Sequence, residues 1–200
     1  FNTTPQAALN NRRGYQPRGK VLGGSSSINA MVYIRGQHAD YDHWAAQGNP
    51  GWGWEDVKPY FVRAENNERG ANDWHGRGGP FNVADLRAPN RFSQYFTDAG
   101  VQAGHPHNTD FNGVTQEGVG LYQVTHKNGE RHSAAKGYLT PHLARPNLQV
   151  ITGAHATRIL FDGTRAVGVE YRQGGAIKQV RAGREVLLSA GALLSPQLLM

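Results

Sequence analysis

Apolar residues recur along this chain with three different rhythms. Residues 18–36, RGKVLGGSSSINAMVYIRG, open as a basic, glycine- and serine-rich stretch with no helical or strand period. They then turn apolar at Ile28, Met31, Val32, Tyr33 and Ile34, a run the pattern predicts to be buried. Residues 54–65 predict a short helix, with Glu55 and Asp56 in its first turn and Val57, Phe61 and Ala64 on one face; Pro59 requires that its start lie close by. Trp44, Trp52 and Trp54 surround a Gly-Asn-Pro-Gly turn and are expected to pack a core. Residues 66–90 read as turns. Residues 91–103 set Phe92, Tyr95, Phe96 and Ala99 at i, i+3, i+4 and i+7, with Gly104 as the C′ residue, and predict an amphipathic helix whose apolar face is core. A polar loop at 105–120, a strand at 121–125 and a helix capped by Ser133 and running to about Ala144, divided by Pro141, complete this part.

From Leu148 the rhythm changes to short β-branched runs at 148–152, 156–161, 166–171 and 177–181. Asp162-Gly163 and Gly174-Gly175 are hairpin signals between them, so the segment predicts a β-meander. Val167, Val169 and Tyr171 alternate with Ala166, Gly168 and Glu170, as in a strand with one buried face. A buried strand at 185–189, a turn at Ala190-Gly191-Ala192 and a helix opened by Ser195 as N-cap with Pro196 at N1 follow.

Composition narrows the possible classes. A chain that is 38% hydrophobic with 26 Gly and 10 Pro in 200 residues is globular, with a local glycine excess. The absence of cysteine excludes a disulfide framework, a thiolate zinc site and a cysteine nucleophile. No stretch approaches the roughly 18 apolar residues of a membrane span, so no integral membrane segment and a soluble chain are expected. A net charge of +6 would suit an acidic partner, but Arg12, Arg13, Arg18 and Lys20 are the only dense basic group, and no nucleic-acid partner is expected. With no initiator Met, no signal-peptide pattern, and an end inside an apolar run at Met200, the chain is expected to be an internal piece of a longer protein.

Two segments carry chemistry. In Gly23-Gly24-Ser25-Ser26-Ser27 adjacent glycines allow positive φ and bring backbone N–H groups close to an anion, with serine hydroxyls as extra donors and Arg18 and Lys20 as charge, a donor set suited to a pyrophosphate. A flexible linker would not lead straight into apolar residues, and no Walker pattern is present. The second segment, 185–197, sets a strand end and a glycine turn before a helix N-terminus. His105-Pro106-His107, with His126, His132 and His142 on other elements, suits surface or structural roles, and no metal is expected. Two other classes remain. A non-catalytic basic module would hold a polyanion through Arg12, Arg13, Arg18 and Lys20 and weaken steeply with salt. A serine hydrolase would be labelled at Ser25, Ser26 or Ser27, although G-x-S-x-G is absent.

GGSSSINAMVYIRG closely resembles the first signature of the glucose-methanol-choline (GMC) family of flavin-dependent oxidoreductases, and GALLSPQLLM resembles the start of the second. Residues 72–74, 79–87 and 133–141 are also similar, most of all to the bacterial choline and alcohol dehydrogenase-like branch. The resemblance implies an α/β fold of mixed α+β character: an incomplete Rossmann-like FAD-binding domain (1–36 and 146–200) plus part of a substrate-binding domain (37–145). It implies FAD-dependent oxidation of a small-molecule alcohol to an aldehyde or ketone by hydride transfer to flavin N5, in a protein that is soluble in the cytoplasm or peripheral to a bacterial inner membrane, with the electron acceptor undefined. Val21, Gly23, Gly24 and Ser25 would line the diphosphate and ribityl region. Asn29, Ala30, Met31 and Val32 would lie along the isoalloxazine, Ala156 would meet the adenine, and Ala190 and Gly191 would approach the FAD. Ile28 stands where covalently flavinylated members have His, so the FAD is expected to be non-covalent. The family's G-x-G-x-x-G is absent, and its catalytic His is expected beyond Met200, leaving no catalytic residue here.

Overall fold

The computed structural model describes residues 1–200, which divide into two compact units, Phe1–Ala144 and Arg145–Met200. Helices and strands are mixed, as expected. No helix is long and apolar enough to cross a membrane.

In Phe1–Ala144 the helix α1 (His38–Ala46) has no apolar stripe to announce it, since HADYDHWAA mixes polar and apolar residues on all sides. A carboxylate holds its start: Asp40 Oδ2 accepts from the Gln37 N–H at 2.8 Å, satisfying a donor that the helix cannot. α2 (Trp54–Ala64) forms where its pattern predicts, and Asp42 from α1 accepts from the Trp54 N–H at 2.8 Å. The segment expected to be only turns contains β1 (Glu65–Asn67) and β2 (Phe81–Val83), paired in parallel. Three of their four buried residues, Glu65, Asn67 and Asn82, are polar, with Val83 the fourth, the inverse of the apolar run by which buried strands are recognised.

α3 (Arg91–Gln102) begins at Asn90, whose side chain accepts from the Phe92 N–H at 2.9 Å. Its apolar face is not core. Phe92 and Phe96 are 74% and 75% exposed and border a groove of about 530 Å³ with Ala30, Val32, Leu86 and Val124. Periodicity identifies the face but not what it meets. Residues 121–125, predicted as a strand, form no ladder; Val124 makes isolated bridges to Val32 and Ala84. β3 (His126–Lys127) and β4 (Glu130–Arg131) form a hairpin whose turn residues Asn128 and Gly129 have φ of 54° and 81°, the combination that type I′ requires. Ser133 caps as predicted, accepting from the Lys136 N–H at 3.3 Å. The helix expected to reach Ala144 is instead a wide π turn, Ala135–Leu139, and a 3-10 turn, Thr140–His142, with Pro141 inside the latter.

Val83, Ala84, Phe111 and Val124 form the apolar core, extended by Tyr41 and by Trp54, which stacks on His38 at 4.0 Å. Trp44 and Trp52, expected in the core, lie exposed and contact each other edge to face at 6.1 Å, because the turn between α1 and α2 keeps both at the surface. The run expected to be buried after Ile28 is also corrected: Ile28, Val32 and Ile34 are exposed, and the buried residue is Arg35.

In Arg145–Met200 the meander is present as β5 (Ala154–Asp162), β6 (Arg165–Gln173) and β7 (Ala176–Arg181), antiparallel and in that order. Gly174 and Gly175, at φ 57° and 81°, form one turn as predicted. The other centres on Gly163-Thr164, one residue later than Asp162-Gly163, because Asp162 pairs with Arg165. The face expected to be buried on β6, Val167, Val169 and Tyr171, is largely but not fully covered, and Ile159 is the buried hydrophobic residue. Residues 148–152 and 185–189, predicted as strands, are not: neither pairs with an edge of the meander, and a strand without a partner leaves its N–H and C=O groups unmatched. Leu187, expected to be buried, is 79% exposed. α4 (Leu194–Leu199) packs beside β5 and starts earlier than predicted, so Ser195 lies inside it, its N–H donating to Gly191 O at 2.9 Å.

Candidate functional site

The glycine-serine loop is a tight scaffold. Gly23 and Gly24 have φ of 87° and 55°, values an L side chain rarely adopts. A Cβ on Gly19 would overlap the Gly24 carbonyl, whereas a Cβ on Gly24 would meet nothing within 4 Å. The loop thus closes on its own backbone at Gly19 and opens outward at Gly24. The serines do less outward work than their chemistry suggests: Ser26 Oγ donates to Gly23 O at 2.5 Å and Ser27 Oγ to Leu22 O at 2.8 Å. Ser25 Oγ accepts from the Gly19 N–H at 3.2 Å and keeps its own proton to offer. Hydroxyls bonded to carbonyls are poor nucleophiles, which counts against the hydrolase reading. Arg12, Arg13 and Arg18 each donate to a nearby carbonyl, of Leu9, Thr3 and Pro17 respectively.

Past the loop the chain turns outward at Asn29. Its Oδ1 accepts from the Met31 N–H at 3.0 Å, and Met31 sits at φ 64°, a left-handed conformation unusual for a residue other than glycine. Met31 O accepts from the Thr125 N–H at 2.8 Å, and the Tyr33 N–H donates to Gln123 O at 2.9 Å, fastening the segment to residues 123–125. The N–H groups of Ala30 and Val32 and the Asn29 Nδ2 find no acceptor in the chain. Val21, Gly23, Gly24, Ser25, Asn29, Ala30, Met31 and Val32, the predicted site residues of this unit, therefore lie on one stretch that offers donors and little charge. Such a donor set fits the polar edge of a flavin. In the other unit Ala156 is on β5 as expected, and Ala190 and Gly191 (φ 87°) precede α4, reached from an irregular segment instead of a strand.

A second polar cluster has no sequence signal. Arg35 and Glu65 are buried and paired at 2.9 Å. His75 Nδ1 donates to Glu65 at 3.0 Å and its Nε2 to Asp110 at 2.9 Å. Glu65 also accepts from the Asn67 amide and the Gly76 N–H, each at 3.0 Å. Burial would raise the Glu65 carboxyl, but the His75 and Gly76 hydrogen bonds and the Arg35 charge outweigh it and hold it below the usual carboxylate range. Burial likewise opposes charge on His75, yet its bonds to Asp110 and Glu65 push it up to about 9. These residues are far apart in sequence and share no period, so only the fold brings them together. No three His, Asp or Glu gather as a metal ligand set.

The GMC oxidoreductase family model matches residues 2–200. The chain is 49% identical over 203 residues to an alcohol dehydrogenase (acceptor) of Pseudomonas putida and 46% identical over 200 residues to an oxygen-dependent choline dehydrogenase of Brucella anthropi. All of this chain is covered in both matches, but it spans only 37% and 36% of those relatives. Among solved structures it is similar to pyridoxine 4-oxidase from Mesorbium loti, with a TM-score of 0.90 at 32% identity, and to an FAD-dependent oxidoreductase from Chaetomium thermophilum, with a TM-score of 0.91 at 32% identity. All of this chain is covered there too, against 40% and 37% of those chains.

Proposed function

Because the chain belongs to the GMC oxidoreductase family, we propose that it is the part of a flavoenzyme that holds and orients non-covalent FAD for the oxidation of an alcohol to an aldehyde or ketone. Bound flavin supplies a hydride acceptor at N5. The chain's own residues do the rest of the work assigned here. Val21, Gly23, Gly24 and Ser25 bind the diphosphate and ribityl region through a backbone that approaches closely. Asn29, Ala30, Met31 and Val32 offer fixed donors along the ring, where developing negative charge is stabilised by dipoles already in place. In the other unit Ala156 is assigned to the adenine and Ala190 and Gly191 to the cofactor. On this reading residues 1–36 and 146–200 are FAD-binding segments and 37–145 belongs to the substrate region, with none of the nine histidines assigned as the base.

The observation that supports this best is the Asn29 to Val32 turn, with an amide and two backbone N–H groups lacking acceptors beside an open glycine corner. The test uses the full-length protein: its visible spectrum is recorded with a panel of alcohols, choline included, under argon and under air. Bleaching of flavin bands by an alcohol is expected, and bleaching that persists in air identifies a dehydrogenase. Acid denaturation should release the flavin into the supernatant, because Ile28 offers no nucleophile for a covalent link. A colourless protein, or flavin that stays on the denatured polypeptide, overturns the corresponding part of the assignment.

A further inference from the structure

We propose that Arg131 is a positioning residue for the cofactor loop, its guanidinium locking the Asn29 amide so that Nδ2 is the atom presented to the ligand. Resting on the flavin assignment above, the inference adds a residue of β4 that no loop motif contains. Arg131 Nη1 donates to Asn29 Oδ1 at 2.7 Å and to Ser26 O at 3.1 Å, and its Nη2 donates to Asn29 O at 2.8 Å. One planar fork thus spans both ends of the bend from Ser26 to Asn29, a match of shape that a lysine ammonium cannot reproduce. Asn29 Oδ1, holding the Met31 N–H as well, has both acceptor positions filled, and an amide with its oxygen so engaged must turn its NH₂ the other way.

The hairpin makes this a clamp. From its first strand His126 Nε2 lies 3.1 Å from Met31 Sδ, and Thr125 just before it holds Met31 O; from its second strand Arg131 holds Ser26 and Asn29. After the hairpin the Ala134 N–H donates to Ser26 Oγ at 2.9 Å. The tight Asn128-Gly129 turn keeps the two strands in register, so the left-handed Met31 is held from both sides. Arg131 has no carboxylate partner: the neighbouring Glu130 is paired with Lys136 at 2.6 Å, and the acceptors of Arg131 are neutral oxygens. Its charge therefore remains available at the loop, where it favours a ligand that gains electron density.

The experiment compares the full-length wild type with Arg131→Ala and Arg131→Lys, reading the FAD dissociation constant by quenching of flavin fluorescence on titration with apoprotein. Arg131→Ala is expected to weaken FAD binding about a hundredfold, since two charge-assisted hydrogen bonds to Asn29 are lost. Arg131→Lys should fall between, and a few millimolar guanidinium should restore part of the affinity of the alanine variant but not alter the wild type. A protein merely loosened by the substitution would not be rescued by that ion. Affinity within threefold of wild type in both variants, or a loss relieved neither by guanidinium nor by lysine, overturns the proposal. If the alanine variant does not fold, the lysine variant decides alone: a loss of at least fivefold supports the fork and wild-type affinity overturns it. A wild-type protein that binds no FAD defeats the cofactor reading itself, a separate result.

Discussion

Two polar clusters in Phe1–Ala144 use the same kinds of residue and end in opposite states. Around Glu65 all but one of the polar groups are engaged: the carboxylate receives Arg35, His75, Asn67 and Gly76, His75 uses both ring nitrogens, and Arg35 Nε is the buried donor left without an acceptor. With His75 protonated, two cations face the two carboxylates of Glu65 and Asp110, and the cluster is neutral. Around Asn29 the cation has no counter-ion, and an amide NH₂ and two backbone N–H groups have no acceptor. The closed cluster is buried away from any ligand and ties β1, the turn before Gly76 and the loop at Asp110 to the chain at Arg35. An open one is what a binding site looks like before its ligand arrives. Burial and near-saturation of hydrogen bonds, more than the presence of charge, separate the architectural cluster from the one proposed to hold the cofactor.

The sharpest break of this contrast is Glu65→Ala. It leaves Arg35 buried without a counter-charge and His75 with Asp110 alone, and is expected to cost about 3–5 kcal/mol, read from the urea midpoint of the full-length protein; a loss below about 1 kcal/mol would deny the cluster its architectural role. A smaller effect comes from pH. His75 holds its proton more tightly in the folded protein, at about 9, than at its ordinary 6.5. Its stabilisation is therefore complete below about pH 6.5 and is lost as the pH rises through about 9, a change of order 3 kcal/mol. Urea midpoints should fall across that window, and His75→Gln should flatten the fall; an unchanged slope in the variant would assign the titration elsewhere. The smallest effect on stability is expected at the open site. Gly24→Ala forces a side chain into φ 55° but meets nothing within 4 Å, so it should cost about 1 kcal/mol while weakening FAD binding by a larger factor. Equal effects on the two would mean that the corner is not where the ligand approaches.

Local pattern carried much of this molecule. α2 and α3 follow their apolar spacing, the Gly174-Gly175 turn follows the demand for positive φ, and the two family-like segments carry enough identity to indicate the cofactor class. What failed did so for identifiable reasons. α1 is held by Asp40 and by its contact with α2, not by an apolar stripe. β1 and β2 bury polar residues, so a search for hydrophobic runs passes over them. Residues 148–152 and 185–189 have strand-like composition but no strand to pair with in their unit.

The site divides in the same way. That residues 23–32 form a glycine-framed, donor-bearing turn is written in their order, because the φ values and short-range hydrogen bonds belong to neighbours in the chain. Which way Asn29 points, and that Glu65 is sealed, were decided only when the chain folded. Arg131 lies 102 residues from Asn29, and Asn112 lies 77 from the Arg35 N–H it accepts from. Contacts over such separations leave no period in the sequence, since they depend on the paths of whole segments through space.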